Sequence, residues 1–419
     1  MMLFIRAFLF LLIFVQISFA ESADPKDVFL AFSSRIVQIR VVEESSGGKA
    51  SIGSGFYINP DGLLVSNYHV VSSYVLNPER FKIDLVDSSE KAVGVELLYV
   101  DIIHDLALLK VDQKSPSYFD DFSTIPNAGE RIFSIGNPQD LGFTIVEGIY
   151  NGPVKESRLQ KLNFSGSLNP GMSGGAAFNV SGKLVGVNVS TAGNQLSFLV
   201  PAAYVGQMLA QYKSGADASS NFLKLAEKQI YTDQKQKFSA LLSSEFTKVN
   251  LKKFSVPSAL LPSLKCWSDS EDKPEEAYQY LNHVCSTSEL IFLSQDSSVG
   301  NIYLFYLLVE NKGMNSVSFA AKVQQILSTY TSGTKGDKED YSNYKCIRDF
   351  VNPGDTTFWV NTCIRKYKKF ESLYDLTLVA ASVDSSSESL IIYSNISALS
   401  FENAQKFSSK FLENLTWKQ

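Results

Sequence analysis

The segment SLNPGMSGGAAF (167–178) surrounds Ser173 with three glycines, Gly171, Gly174 and Gly175. Glycine lets a backbone fold tightly enough to aim two N–H groups, here those of Gly171 and Ser173, at one point beside the hydroxyl. A serine hydroxyl is a weak nucleophile at neutral pH and needs an adjacent base, ordinarily histidine. The chain has only three histidines, His69, His104 and His283. His69 lies in GSGFYINPDGLLVSNYHVV (53–71), after a strand-like run and ahead of two valines. Asp105 in DIIHDLALLKV (101–111) stands just before an apolar run, where a carboxylate can fix the tautomer of an imidazole. Histidine, aspartate and serine thus follow one another in the order and roles of a nucleophilic hydrolase.

Each of these residues also has a plainer reading. A glycine-rich stretch with a serine is usually a turn, a lone histidine is usually packed or solvated, and an aspartate before an apolar run often starts an element. His104 is next to Asp105, but adjacent side chains on an extended segment point to opposite faces. Asp101 shares a face with Asp105 by even spacing and competes for the same role. Gly171 to Gly175 also satisfy the GxSxG of an α/β-hydrolase, which would need a helix after the serine and then an aspartate and a histidine. Residues 176–189 read instead as a hairpin, and only His283 follows. A metal-dependent hydrolase finds no HExxH. A zinc site at the cysteines finds no CxxC, and His283 sits two residues from Cys285 rather than at ligand spacing. No metal and no cofactor are expected.

The elements that must position these groups follow from the apolar pattern. Residues from about 28 to 205 form short β-branched and aromatic runs: 36–44, 54–66, 81–87, 107–111, 131–136, 144–150 and 183–189. Asp61-Gly62 and Ser181-Gly182 are turn dipeptides between such runs. KSGADASSN (213–221) is small and polar, which marks a boundary, and the helical pattern of 221–246 follows it. Beyond it, strand-like runs at 289–295, 302–310, 356–362, 376–383 and 389–394 mix with helix-like 319–330 and 400–415. The expectation is an all-β domain over 21–213, a linker over 214–221 and an α+β domain over 222–419.

In 419 residues, 38 Lys and Arg stand against 43 Asp and Glu, a formal charge of −5, with 45% hydrophobic residues. That length holds about two ordinary domains, and the balance lacks the clustered cations of a nucleic-acid binder. Residues 1–20, with Arg6 ahead of an apolar run from Ala7 to Val15 and small residues at Ser18 and Ala20, read as a cleavable signal peptide rather than an anchor. All four cysteines, Cys266, Cys285, Cys346 and Cys363, fall in the second half, and their even number suits an oxidising compartment. Of the three pairings, the local one is expected, Cys266 with Cys285 and Cys346 with Cys363. The disulfides would then hold the second half alone, leaving 21–213 able to work by itself. A secreted or periplasmic protein without a membrane anchor follows.

GSGFYINPDGLLVSNYHVV, DLALLKV, FSIGNPQDLGFTIVEGIYNG (133–152) and LNPGMSGGAAFNVSGKLVGVNV (168–189) together resemble the signature stretches of the HtrA/Deg family of trypsin-like serine endopeptidases. The resemblance covers about residues 30 to 206. It implies a double antiparallel β-barrel with the cleft between barrels, His69 as general base, Asp105 as its orienting partner and Ser173 as nucleophile. It also implies an oxyanion hole at Gly171 and Ser173 and a protein or peptide substrate. Met172 stands where the family usually has Asn, and Ser165 where it commonly has Asp. Ser167 replaces the aspartate that makes trypsin-like pockets select Arg or Lys. QLSFLVP (195–201) resembles a wall of the specificity pocket, placing Ser167, Leu196, Ser197 and Phe198 around a small or medium apolar residue. Residues 222–419 carry no PDZ pattern; a binding role there, toward a protein partner, would make a catalytically weak or inactive scaffold the alternative.

Overall fold

The computed structural model describes residues 24–86, 91–115, 117–215, 221–287, 290–331 and 339–417. The signal-peptide segment and most of the 214–221 linker lie outside them. Among the described residues no helix is long and apolar enough to cross a membrane.

After a short helix α1 (Pro25–Phe32), seven strands make the first sheet: β1 (Ile36–Glu43), β2 (Lys49–Tyr57), β3 (Leu63–Ser66), β4 (Phe81–Val86), β5 (Ala92–Gly94), β6 (Glu96–Asp101) and β7 (Leu106–Lys110). Helix α2 (Tyr68–Leu76) is inserted between β3 and β4. The order β5-β4-β1-β2-β3-β7-β6 places β5 and β6 at opposite ends. Only Val95 separates them in sequence, so one bent strand pairs with β4 through its first half and β7 through its second, closing a cylinder. Every sheet pairing is antiparallel.

The second barrel is closed by hydrogen bonds in the order β10-β13-β12-β11-β8-β9. Its strands are β8 (Arg131–Gly136), β9 (Thr144–Pro153), β10 (Leu162–Phe164), β11 (Ala176–Asn179), β12 (Leu184–Thr191) and β13 (Ser197–Pro201). Each apolar run of the first half that reads as a strand in sequence contributes to one of these two barrels. Alternation does the work: β2 to β3 turns at Gly62, and inward residues such as Ile39, Val41, Phe56, Leu64 and Leu108 fill a common core. The first half is thus the double β-barrel that the resemblance implies.

Helix α3 (Ala202–Ser214) packs back on the barrels, and α4 (Phe222–Ser243) then crosses from one half to the other. Its first turns bury Leu225, Ala226 and Ile230 in the barrel core, and its last turns bury Phe238 and Leu241 in a second core. Gln229 accepts from the N–H of Ile102 at 3.0 Å and donates to Val100 O at 2.8 Å, capping the end of β6. Ile291, Leu293, Val299 and Leu373 also join the barrel core. The two halves therefore share apolar packing.

The second half is built on one antiparallel sheet, ordered β16-β17-β20-β24-β23-β22-β21. Its strands are β16 (Leu264–Glu271), β17 (Tyr278–Thr287), β20 (Ile302–Asn311), β21 (Lys345–Val351), β22 (Phe358–Lys366), β23 (Tyr374–Ser382) and β24 (Glu388–Leu399). Strands β14 (Lys248–Leu251), β15 (Phe254–Pro257) and β25 (Thr416–Trp417) form a small sheet beside it. Alternate residues of β20 separate two faces. Leu304, Tyr306 and Leu308 meet the end of α4 and α6 (Phe401–Glu413), while Leu307 and Val309 meet α5 (Ser316–Thr331) through Phe319, Val323 and Leu327. Cys266 pairs with Cys285 across β16 and β17, and Cys346 with Cys363 across β21 and β22. Each bond pins an outer strand of the sheet to its neighbour. The 289–295 run is the exception to the sequence expectation. Only Ile291–Phe292 (β18) are extended, paired with Ser298–Val299 (β19) in a separate hairpin that leaves the large sheet and lies against the first barrel.

Candidate active site

Strand β3 ends at Ser66, and the chain turns through Asn67 into α2, placing His69 in its first turn. The loop after β6 brings Asp105 to it with a left-handed backbone, φ 57°. That conformation is unfavourable for a residue with a Cβ, and it is held from both sides. Asn67 donates its amide to Asp105 O at 2.8 Å, and Asp105 takes the His69 backbone N–H at 2.9 Å on one carboxylate oxygen and His69 Nδ1 at 2.7 Å on the other. Both side chains are buried. This leaves Nε2 as the nitrogen free to exchange a proton. Tyr68, fully buried, has its phenol pushed well above the usual range by desolvation and by the Asp105 charge, so it stays neutral.

Asp101 and His104 repeat the pattern four residues away. Asp101 accepts from the His104 N–H at 3.2 Å and meets His104 Nδ1 at 2.7 Å. The His104 ring stacks on Tyr204 with centroids 3.7 Å apart. Asp101 is therefore occupied by its own histidine, and the structure brings Asp105 to His69.

The nucleophile segment reaches this point from the second barrel. Ser54 N donates to Ser173 O at 2.7 Å, and Ser54 Oγ donates to Gly171 O at 2.8 Å while accepting from Asn137 N at 3.0 Å. Gly174, at φ 83°, lies so close to the β3–α2 junction that a Cβ would sit 2.3 Å from Ser54 O and 2.9 Å from Asn67 N. Only glycine fits there, and the close approach brings the residue after Ser173 against the turn that leads into His69. Asn188 N donates to Gly175 O, Gly174 N donates to Asn188 O, and the Asn188 amide reaches Met172 O at 3.1 Å.

Pro170 O accepts from Gln139 N at 2.9 Å, so the trans peptide turns the Gly171 N–H the opposite way. Gly171 has φ 95°, and a Cβ there would lie 2.4 Å from Asn137 O. Among the described residues neither the Gly171 nor the Ser173 N–H has an acceptor, whereas the Met172 N–H between them is bound to Asn169 O at 3.0 Å. Gln139 is itself anchored through Asp140, which takes Gln38 at 2.6 Å and pairs with Lys49 of the first barrel. Those two bonds hold the Asp140 carboxyl below its usual range. Ser173 Oγ donates to Val189 O at 3.5 Å, and among the described residues no hydrogen bond joins it to His69. Such bonds are often long without substrate and tighten when it binds.

Met172 is fully buried among Phe164, Leu168, Leu199 and other residues of the second barrel. Met172 thus anchors the loop as an apolar plug. Ser165 supports β9, accepting from Ile149 N at 2.8 Å. Of the four residues expected around a specificity pocket, Ser167 and Leu196 are exposed, Phe198 is half-buried, and Ser197 is buried, accepting from Leu168 N at 3.3 Å. His283 is remote from this site, buried between Ser258 at 2.8 Å and Ser268 at 2.7 Å. One of its ring nitrogens and the Cys266 and Cys285 sulfurs gather within 4.8 Å, but sulfurs joined in a disulfide offer no thiolate to a metal. Sequence reasoning missed Ser54, Asn67, Asn137, Asp140 and Asn188. They are common turn formers, and only their place inside the quoted motif stretches hinted at a role.

Known proteins resemble this chain over the same stretch. Residues 53–187 match the model of the trypsin-like peptidase domain. A probable periplasmic serine endoprotease, DegP-like, of Rickettsia conorii is 31% identical over 197 residues, 43% of this chain and 38% of that one. The DegP-like protein of Rickettsia prowazekii is 36% identical over 149 residues, 33% of this chain and 28% of that one. A solved serine endoprotease from Yersinia pestis aligns at 24% identity with a TM-score of 0.39, covering 45% of this chain and 66% of that one. The chain spans roughly a third of the length of the curated relatives it matches. By sequence, residues 53–187 of this chain are a trypsin-like peptidase domain of the HtrA/DegP-like kind.

Proposed function

We propose that this chain is an exported serine endopeptidase that hydrolyses peptide bonds through Ser173, His69 and Asp105. The observation that supports it most is the meeting of two arrangements across one cleft: the carboxylate-held His69 on one barrel, and the unbonded Gly171 and Ser173 N–H pair on the other. In this reading a peptide lies extended along the cleft. Ser173 Oγ attacks the carbonyl carbon while His69 Nε2 takes the hydroxyl proton, and the carbonyl oxygen, now negative, is met by the two N–H groups. Collapse of the tetrahedral species breaks the C–N bond as His69 returns the proton to the leaving amine. Water, deprotonated by His69, then releases the acyl group from Ser173. No cofactor or metal enters this sequence of steps. Relatives named periplasmic and the leader-like first 20 residues support a secreted or periplasmic location.

A second reading, a protease-like scaffold whose second half binds a protein partner, is favoured by one observation: Ser173 Oγ is turned toward Val189 O. The experiment that separates the two is covalent labelling of the full chain with a fluorophosphonate, next to Ser173→Ala. Labelling of the unaltered protein that disappears in the variant is expected. A folded protein that takes no label leaves the scaffold reading in possession.

A further inference from the structure

Hairpin β18–β19 lies with its apolar residues against the first barrel. Ile291 and Leu293 enter the barrel core, and Tyr68 donates its hydroxyl to Leu293 O at 3.4 Å. Leu293 N also donates to Ser297 O at 2.8 Å, which closes the hairpin. Phe292 packs at the margin of the same core, and Leu290 is more exposed. Phe292 brings its ring centroid to 5.1 Å from that of His69, tilted by 46°. Together Leu290 and Phe292 close a small cavity whose other walls include His104, Asp105, Val189 and Val200. About 10 Å³ is left free there, room for about one water molecule.

Val189 fixes which part of a substrate meets this cavity. The pairings of β12 with β11 end at Val187, and Asn188 continues only to Gly174 and Gly175. Residues 189–191 thus offer a strand edge beside Ser173 on which an extended peptide can pair. If the side chain preceding the scissile bond enters the pocket of Ser167 and Leu196, its neighbour on the N-terminal side points the opposite way, toward His69 and Phe292.

Resting on the peptidase reading, we infer that Leu290 and Phe292, from the half of the chain outside the matched domain, are specificity-determining residues. They restrict the substrate residue one before the scissile residue to a small side chain. The second half of the chain thereby completes the cleft. A hydrogen or methyl group fits the space left, and a Leu or Phe side chain meets the Phe292 ring.

The test uses the full chain and two quenched peptides that differ only at that position, Ala or Leu. The unaltered protein is expected to cleave the Ala peptide with kcat/KM about tenfold or more above the Leu peptide, the scale on which a cavity discriminates by size. Phe292→Ala is expected to raise the Leu-to-Ala ratio about tenfold, and Phe292→Trp to lower it, with fluorophosphonate labelling showing that each variant is folded. A ratio that moves by less than about threefold in Phe292→Ala overturns the proposal, including the case where both peptides are cut faster together. Absence of label in the unaltered protein overturns it along with the peptidase reading, whereas label with an unmoved ratio overturns it alone.

Discussion

On the first-barrel side of the cleft the working groups are held by charge and side-chain hydrogen bonds, with Asp105 gripping the main chain and ring of His69. On the second-barrel side the nucleophile loop is held by backbone bonds to Ser54 and Asn188 and by the buried side chain of Met172. The difference separates two kinds of dependence. Loss of a polar group on the first side disturbs orientation and leaves little empty space. Loss of the plug on the second side opens a cavity beneath the nucleophile.

The largest effect should come from the carboxylate. Asp105→Asn keeps the shape but favours the wrong tautomer of His69, and kcat is expected to fall by about 10⁴. Asp101→Asn is the internal control, because Asp101 grips His104 in the same way, whereas His69 is held by Asp105. It is expected to change kcat by less than about threefold, the scale of a substitution away from the chemistry. Peptide hydrolysis by the two variants decides the matter. Equal losses would mean that the two histidine pairs act as one unit, and the contrast between them would collapse.

On the other side, Met172→Ala is expected to lower unfolding stability by about 2–5 kcal/mol, and Met172→Leu by less than about 1.5 kcal/mol. Urea midpoints together with fluorophosphonate labelling give both readouts. If Met172→Ala lost its label while its midpoint stayed put, the side chain would be acting on the chemistry and not as an anchor.

The site was legible where chemistry restricts residue type. Only a few residues can be base, carboxylate and nucleophile, and Gly171 and Gly174 occupy backbone positions that reject a Cβ. The supporting residues were not legible, because Ser54, Asn137 and Asn188 act through partners distant in sequence. In the fold, β-branched and apolar runs revealed β1, β4 and β12, which are buried along most of their length. They did not reveal β21, where KCIRDFV is exposed along almost its whole length, or β16, whose second half is polar and exposed. Such strands are edge strands, defined by a neighbour and a disulfide more than by burial. Helix α4 was legible as a helix, but its pattern carried no sign that it serves two cores in succession.

The smallest expected effect comes from His283, which sharpens the contrast because it is a buried histidine held without a carboxylate. Neutral hydroxyls of Ser258 and Ser268 satisfy both ring nitrogens. Burial lowers its proton affinity below the ordinary value of 6.5. Protonation costs it no hydrogen bond, since a serine hydroxyl can accept as well as donate; the cost is a charge placed in a desolvated site. Below about pH 6.5 the unfolded chain binds a proton there that the folded chain resists. Stability contributed by this group is therefore full above that pH and declines as pH falls toward the folded value, levelling off below it. A tenfold difference in proton affinity corresponds to about 1.4 kcal/mol, which sets the scale. Urea unfolding followed by Trp fluorescence between pH 7.5 and about 5 should show the decline, and His283→Gln should flatten it. An identical slope in the variant would place the titration elsewhere, and the hydroxyl-held histidine would then differ from His69 in its partners but not in its response to protons.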